Sequence, residues 1–290
     1  MAEPLPTCFL DGSWLPLREA RVSPLDRGFL YADGVYEVMP VFGGRPFRFA
    51  QHFERLARSL AAIRMRDPHP RERWREIVAG LIERNGGGDQ YVYLQVTRGA
   101  EYGRNHAPLP DIAPTVFAFC APLPRPSPQH LERGLACVTA PDPRWARCDI
   151  KSVALLANVL LRQLAVDAGA DETILLRDGW LTEASASTVH VVRGGLVLTP
   201  PDSARILPGT TRAVVEELAD RLGIGRETRP VSEAELRGAD EIWLAAATRD
   251  VSSVTRLDGA AVGSGRPGPL WQRMRTGFAT LRAELAQQPW

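Results

Sequence analysis

Lysine is almost absent from this chain. Lys and Arg together number 35, yet 34 of these are Arg and the single lysine is Lys151. Arg can replace Lys as a surface cation, an ion-pair partner or a phosphate clamp, but its guanidinium stays protonated and cannot serve as an amine nucleophile. One retained lysine points to a task that needs a deprotonatable amine. The alternative is chance survival of one surface lysine under a codon preference for Arg. Lys151 stands in RCDIKS, just ahead of an apolar helix. Desolvation or a nearby cation lowers a lysine's proton affinity and makes it nucleophilic. Arg147, four residues upstream, can supply such a field, and Asp149 opposes it.

Four other features could work with such an amine. Glu183, in LTEAS, follows a hairpin whose turn is Asp178-Gly179; the competing reading is a solvated surface carboxylate. ILPGTTR (206–212) joins a glycine, which allows close backbone approach, to Thr210 and Thr211 at the start of a helix. Oriented N–H groups and the helix dipole there favour an anion, although a plain N-cap explains the threonines as well. It is not a Walker loop, since no G-K-S/T occurs. Arg55, in HFERL, sits on a helix where its fork could grip a phosphate, or simply face solvent as most arginines do. Arg104 and His106, in the loop GRNHAPLP, could grip a carboxylate with help from the Tyr36 hydroxyl, or be two polar residues on an exposed loop.

The elements that must position these residues read as follows. Asp11-Gly12 turns a hairpin over 9–15, and a strand over 35–42 turns at Gly43-Gly44 into a second strand ending near Phe49. Phe53, Leu56, Leu60 and Ile63 recur at helical spacing over 51–64, and a second helix follows Pro70. Strands at 91–97 and 115–121 complete the unit. APLPRPSPQ (121–129) has no periodicity and reads as a stiff, extended connector. Beyond it come a strand at 135–140, a helix over 153–168, strands at 172–176, 188–192 and 196–199, a helix from near Thr211 to Leu222, a strand at 241–246 and a helix from Pro269. Strands and helices mix without regular alternation, which favours α+β over a doubly wound sheet. The expected division is an N-terminal domain over 1–121, a linker over 122–133 and a C-terminal domain over 134–290.

Composition sets the outer bounds. A chain of 290 residues fits two modest domains, and 44% hydrophobic with 24% charged residues is ordinary for a globular protein. A formal charge of +1 gives no global reason to expect nucleic acid or a membrane surface as partner. No apolar run reaches the ~18 residues of a membrane helix. The N-terminal residues lack a basic start before an apolar segment, so no secretion signal is expected. Four widely spaced cysteines without a C-x-x-C pair fit free thiols in a reduced cytoplasm. No metal site is expected.

In order along one chain, the motifs resemble the fold type IV pyridoxal-phosphate enzymes, which include D-amino-acid and branched-chain aminotransferases and aminodeoxychorismate lyase. The resemblance runs from DRGFLYADGVYEV (26–38) through HFERL, VTRG, RWARCDIKS (144–152), LTEAS and LPGTTR to AATRDVSSVTRLDG. It implies a two-domain α+β protein, with a smaller N-terminal α/β domain and a larger C-terminal mixed α+β domain that binds pyridoxal 5'-phosphate. Lys151 looks like the Schiff-base lysine and proton shuttle, and Glu183 like the partner of the pyridine nitrogen. Cofactor contacts are implied for Arg55, Ser185, Leu207, Thr210, Thr211 and Ala247. Arg104-Asn105-His106 resembles the R-x-H carboxylate trap of the D-amino-acid branch, with Tyr36 as its third member. Ping-pong transfer between a D-amino acid, such as D-alanine or D-glutamate, and a 2-oxo acid follows, in a homodimer whose loops cross into the partner's site. A lyase on aminodeoxychorismate, an (R)-selective amine transaminase and a non-catalytic pyridoxal-phosphate-binding protein are the alternatives. There are departures from the family pattern: the loop between Gly99 and Arg104 is one residue longer, Thr188 stands for an expected Asn, Ala184 and Ala186 interrupt the serine run, and Ala247 stands for a hydroxyl residue.

Overall fold

The computed structural model describes residues 3–285 and 290. The contacts divide it into two units, and the division is not linear. Among the described residues, the first unit holds 3–124, 150–154, 285 and 290, and the second 125–149 and 155–284.

In the first unit, β1 (Thr7–Leu10) and β2 (Ser13–Pro16) form the expected hairpin. Asp11 and Gly12 both take positive φ, 46° and 90°, as a two-residue turn matched to strand twist requires. A short helix α1 (Arg27–Tyr31) is capped by the Asp26 carboxylate, which accepts from the Gly28 N–H. Then come β3 (Gly34–Phe42) and β4 (Arg45–Pro46), followed by α2 (Phe49–Ala62) and α3 (Arg71–Arg84). β5 (Gln90–Thr97) and β6 (Thr115–Pro122) complete a six-stranded antiparallel sheet of order β2-β1-β6-β5-β3-β4. The strand expected to run to Phe49 stops at Pro46, because Phe49 already opens α2 and packs on Phe53. Leu56 and Leu60 of α2 and Trp74, Ile77 and Leu81 of α3 bury against Val35, Val92 and Val96 of the sheet. Each such side chain contributes about 1.5–3 kcal/mol. This core makes the sheet face a rigid floor.

The second unit opens with α4 (Pro128–Arg133), capped by Ser127, so the proline-rich stretch is extended only up to that cap. It continues through β7 (Leu135–Pro141), α5 (Leu156–Asp167), β8 (Glu172–Arg177), β9 (Trp180–Ala184), β10 (Thr188–Arg193), β11 (Leu196–Thr199) and α6 (Thr210–Arg221). After these come β12 (Arg226–Thr228), α7 (Glu233–Arg237), β13 (Glu241–Ala246), β14 (Asp250–Leu257), β15 (Ala260–Ala261) and α8 (Pro269–Leu285). The strands form one mixed sheet of order β12-β11-β10-β13-β14-β7-β8-β9, with β15 on β14. β7 lies parallel to both β8 and β14. Ile174, Val189, Val191, Ile242 and Leu244 form its core with Val231 and Leu236. α7 has a capping box, Ser232 with Glu235, a helix start that its S-x-x-E spacing signals in the sequence. All four cysteines are free and buried. Among the described residues, no helix is long and apolar enough to cross a membrane.

Candidate active site

Lys151 is held by its main chain. Its carbonyl accepts from the Tyr36 N–H at 2.9 Å, and its N–H donates to Ser59 Oγ at 3.2 Å. Ser152 bridges to Val35, and the Val153 N–H donates to the Gly34 carbonyl. Residues 150–154 thus lie along the start of β3. α5 therefore begins at Leu156 rather than at the expected Val153. Gly34 is required here, since a Cβ would stand 2.8 Å from the Val96 carbonyl oxygen. Lys151 Nζ lies 4.2 Å from the centre of the Tyr36 ring, which stacks on Tyr93. Among the described residues the amine has no ion-pair partner, as a reactive amine needs. Arg147, expected to act on it, is paired with Asp149.

The same unit buries a charged cluster that the sequence did not announce. Glu37, on β3, accepts from Arg55 Nε and Nη2 at 2.7 Å each and, as a carboxylate, from His52 Nδ1 at 2.8 Å. Burial pushes the Glu37 carboxyl up, but the Arg55 charge and the hydrogen bonds from Arg55 and His52 outweigh it and leave it far below the usual carboxylate range. Burial lowers His52, with Glu37 opposing. Two Arg55 nitrogens are therefore already engaged. The alternation of β3 puts Glu37 on the face that α2 covers, and the one-turn spacing of His52 and Arg55 is the only sequence signal for the triad.

Arg104 and His106 lie on an exposed loop of this unit. Arg104 stands 5.1 Å over the Tyr31 ring, and the His106 and Tyr31 ring centres are 5.4 Å apart. Tyr36 stands beside Lys151 instead, stacked on Tyr93.

In the second unit, Glu183 sits within β9 rather than after it and is buried. It accepts from Arg144 Nη1 and, at 3.3–3.4 Å, from the Leu207 N–H. Burial raises its carboxyl above the ordinary range, opposed chiefly by the Arg144 charge. Arg144 is itself fixed by Asp142 through Nε at 2.9 Å and Nη2 at 2.8 Å. Sequence reasoning placed Arg144 in a motif without a role; a buried carboxylate needs such a partner, and that need was the available signal. Ser185 donates its hydroxyl to Glu172, and its carbonyl accepts from Asn158 Nδ2 at 2.7 Å. Thr210 and Thr211 open α6 behind Gly209. Among the described residues no side chain caps that terminus, which leaves its N–H groups for an anion. A Cβ on Gly209 would meet Thr188 Oγ1 at 2.8 Å. Ala247 lies in the turn between β13 and β14.

By their chemistry, the Lys151 amine of the first unit suits an aldehyde, and in the second unit the buried Glu183 carboxylate suits a protonated pyridine nitrogen and the uncapped start of α6 suits a phosphate. The residues present fit pyridoxal phosphate. Residues 34–257 match the family described as amino-transferase class IV, and the chain belongs to it. Among its relatives, the D-alanine aminotransferase of Bacillus licheniformis is 37% identical over 266 residues, covering 92% of this chain and 93% of that one. The D-alanine aminotransferase of Staphylococcus haemolyticus is 35% identical over 271 residues, covering 93% and 95%. Two solved structures agree in fold. The branched-chain amino acid aminotransferase from Escherichia coli has a TM-score of 0.87 at 23% identity, covering 96% of this chain and 94% of that one. A fold IV transaminase of Curtobacterium pusillum has a TM-score of 0.82 at 28% identity, covering 95% and 92%. The expected fold type IV aminotransferase with two α+β domains is what the chain forms.

Proposed function

We propose that this chain transfers amino groups between a D-amino acid, D-alanine and D-glutamate among them, and a 2-oxo acid, using pyridoxal 5'-phosphate. The observation that carries this reading is the chain's only lysine, fixed by its backbone with its amine over Tyr36, in a protein similar over nine-tenths of its length to D-alanine aminotransferases. Bound pyridoxal phosphate supplies a sink for the electron pair released when the substrate Cα–H bond breaks.

The chain's residues do the rest. Lys151 would hold the cofactor aldehyde and, once the substrate amine had displaced it, its freed amine would take the proton from the substrate Cα. Glu183, raised by burial, keeps a proton on the ring nitrogen, with Arg144 fixing its orientation. Arg55 and the N–H groups of Thr210 and Thr211 receive the phosphate. Leu207 packs on the ring, and the Ala247 N–H completes the contacts, while the Ser185 hydroxyl, spent on Glu172, steadies the strand end beside Glu183. Arg104 and His106 bind the substrate α-carboxylate, and Tyr36, which stands at Lys151 in this chain, is the third member of that grip from the lysine's side. Small amino and 2-oxo acids are the partners. The working form is a homodimer: Leu156, Val159, Leu160 and Leu164 line one exposed face of α5 at helical spacing and call for a cover.

The test mixes cofactor-loaded protein with each enantiomer of alanine and follows visible absorbance and pyruvate. D-alanine alone should react, and Lys151→Ala should abolish both the absorbance and turnover. Full activity in Lys151→Ala, or pyruvate formed only from aminodeoxychorismate, sinks the reading.

A further inference from the structure

The loop that carries Arg104 and His106 joins β5 to β6 across residues 98–114, and positions 102–110 are exposed. A loop this long without regular structure needs something to hold its shape. The brace is Arg27, on α1, whose side chain is 3% exposed. Its Nε donates to Asp33 Oδ2 at 2.9 Å and its Nη1 to Glu101. The same guanidinium donates to two loop carbonyls, Asn105 through Nη1 at 2.7 Å and His106 through Nη2 at 2.9 Å. Glu101 in turn accepts from the Leu109 N–H at 3.0 Å, closing the loop on itself. Asp33 is also paired with Arg98 at the loop's start. One turn along α1, Tyr31 places its ring against two guanidinium groups, Arg27 at 4.7 Å and Arg104 at 5.1 Å, with the His106 ring at 5.4 Å.

From this geometry we infer that Arg27 is a positioning residue for the substrate carboxylate. It grips the backbone of Asn105 and His106 so that Arg104 and His106 are set before substrate arrives. The inference rests on the carboxylate-binding role proposed above for those two residues. The guanidinium is needed for its shape. Four acceptors in different directions fit a planar fork, and a lysine ammonium at the same place can reach only some of them. A loop released from the brace costs ordering entropy at the moment of binding, which lowers affinity and leaves the chemistry at Lys151 intact.

The experiment uses the cofactor-loaded enzyme with Arg27→Lys, Arg104→Met and, should Arg27→Lys fold poorly, Glu101→Gln. Three readouts are taken: hydrogen exchange over 100–110, kcat and KM for D-alanine, and KM for D-alaninamide, which lacks the anionic carboxylate. Arg27→Lys should raise the D-alanine KM about tenfold with kcat little changed, as loss of a charged donor's bonds to the loop implies. The amide KM and the cofactor's visible absorbance should stay put, and exchange over 100–110 should speed up. Glu101→Gln should move the same quantities in the same direction by less. A role confined to stability would leave the ratio of the two KM values unmoved. If Arg104→Met raises the D-alanine KM while Arg27→Lys and Glu101→Gln leave both KM and exchange unchanged, the brace is refuted and the carboxylate site stands. If Arg104→Met has no effect on the D-alanine KM, the carboxylate site itself falls, and this inference falls with it.

Discussion

Glu37→Gln should destabilise the first unit by an amount the geometry sets. The carboxylate accepts from Arg55 Nε and Nη2 and from His52 Nδ1, and all three side chains are at most 4% exposed. Glutamine keeps the volume but offers one oxygen, and its amide nitrogen turns a donor toward donors. Arg55 then loses its carboxylate counter-charge in a buried position. Removing one partner of a buried pair costs about 3–5 kcal/mol. With a urea slope of about 3 kcal/mol per M for a chain of this size, the midpoint should fall by roughly 1–1.7 M. The assay is urea unfolding at neutral pH followed by tryptophan fluorescence. A second variant separates lost charge balance from lost packing: Glu37→Gln with Arg55→Met should recover part of the deficit, because the charge that Glu37 balances is gone as well. The sign with pH is also set. A carboxyl held below its ordinary value stabilises fully above the usual carboxylate range, and that contribution is lost as pH falls below about 4 toward the depressed value. The variant should therefore lose less than the parent on acidification in that window. A midpoint drop under about 0.3 M, near 1 kcal/mol, would refute the view that this carboxylate balances the Arg55 charge.

Two further outcomes are expected. His190 is fully buried with its Nδ1 against Thr199 Oγ1 at 2.7 Å, and burial pushes its imidazole down to about 3. The unfolded histidine binds a proton near its ordinary value of about 6.5, so stability is full above that pH and declines below it toward 3, by up to about 1.4 kcal/mol per pH unit. His190→Asn should flatten the fall in urea midpoint between about pH 6.5 and 5; an unchanged slope counts against this. On α5, Leu160→Glu puts a charge in the middle of the exposed apolar face. Sedimentation should give about twice 31.9 kDa for the parent and a shift toward one chain for the variant. A parent that sediments as a single chain removes the homodimer.

What could be read from the sequence was what local rules decide. The Asp11-Gly12 turn, the α2 stripe of Phe53, Leu56 and Leu60, and the start of α6 each depend on neighbours a few residues away, and each formed as expected. The chemistry-bearing residues were weak signals one by one, each with an ordinary use beside the functional one, and only their order along the chain made a pattern. Their partners were not legible. Glu37 finds Arg55 18 residues on, Arg144 finds Glu183 39 residues on, and Arg27 reaches the His106 carbonyl 79 residues on. None of these pairings has a periodicity to betray it. The Ser185 hydroxyl shows the limit most plainly: from sequence it could serve a ligand or a buried carboxylate, and in the fold it serves Glu172. The start of α5 was misplaced for a related reason. The apolar run begins at Val153, yet Ser152 is tied to Val35 in an antiparallel bridge, and a backbone laid along a strand does not take helical dihedrals at the next residue. The pairing that delays the helix is the same one that fixes Lys151, so the misread boundary marks the place where the fold gives up local preference to hold its one amine.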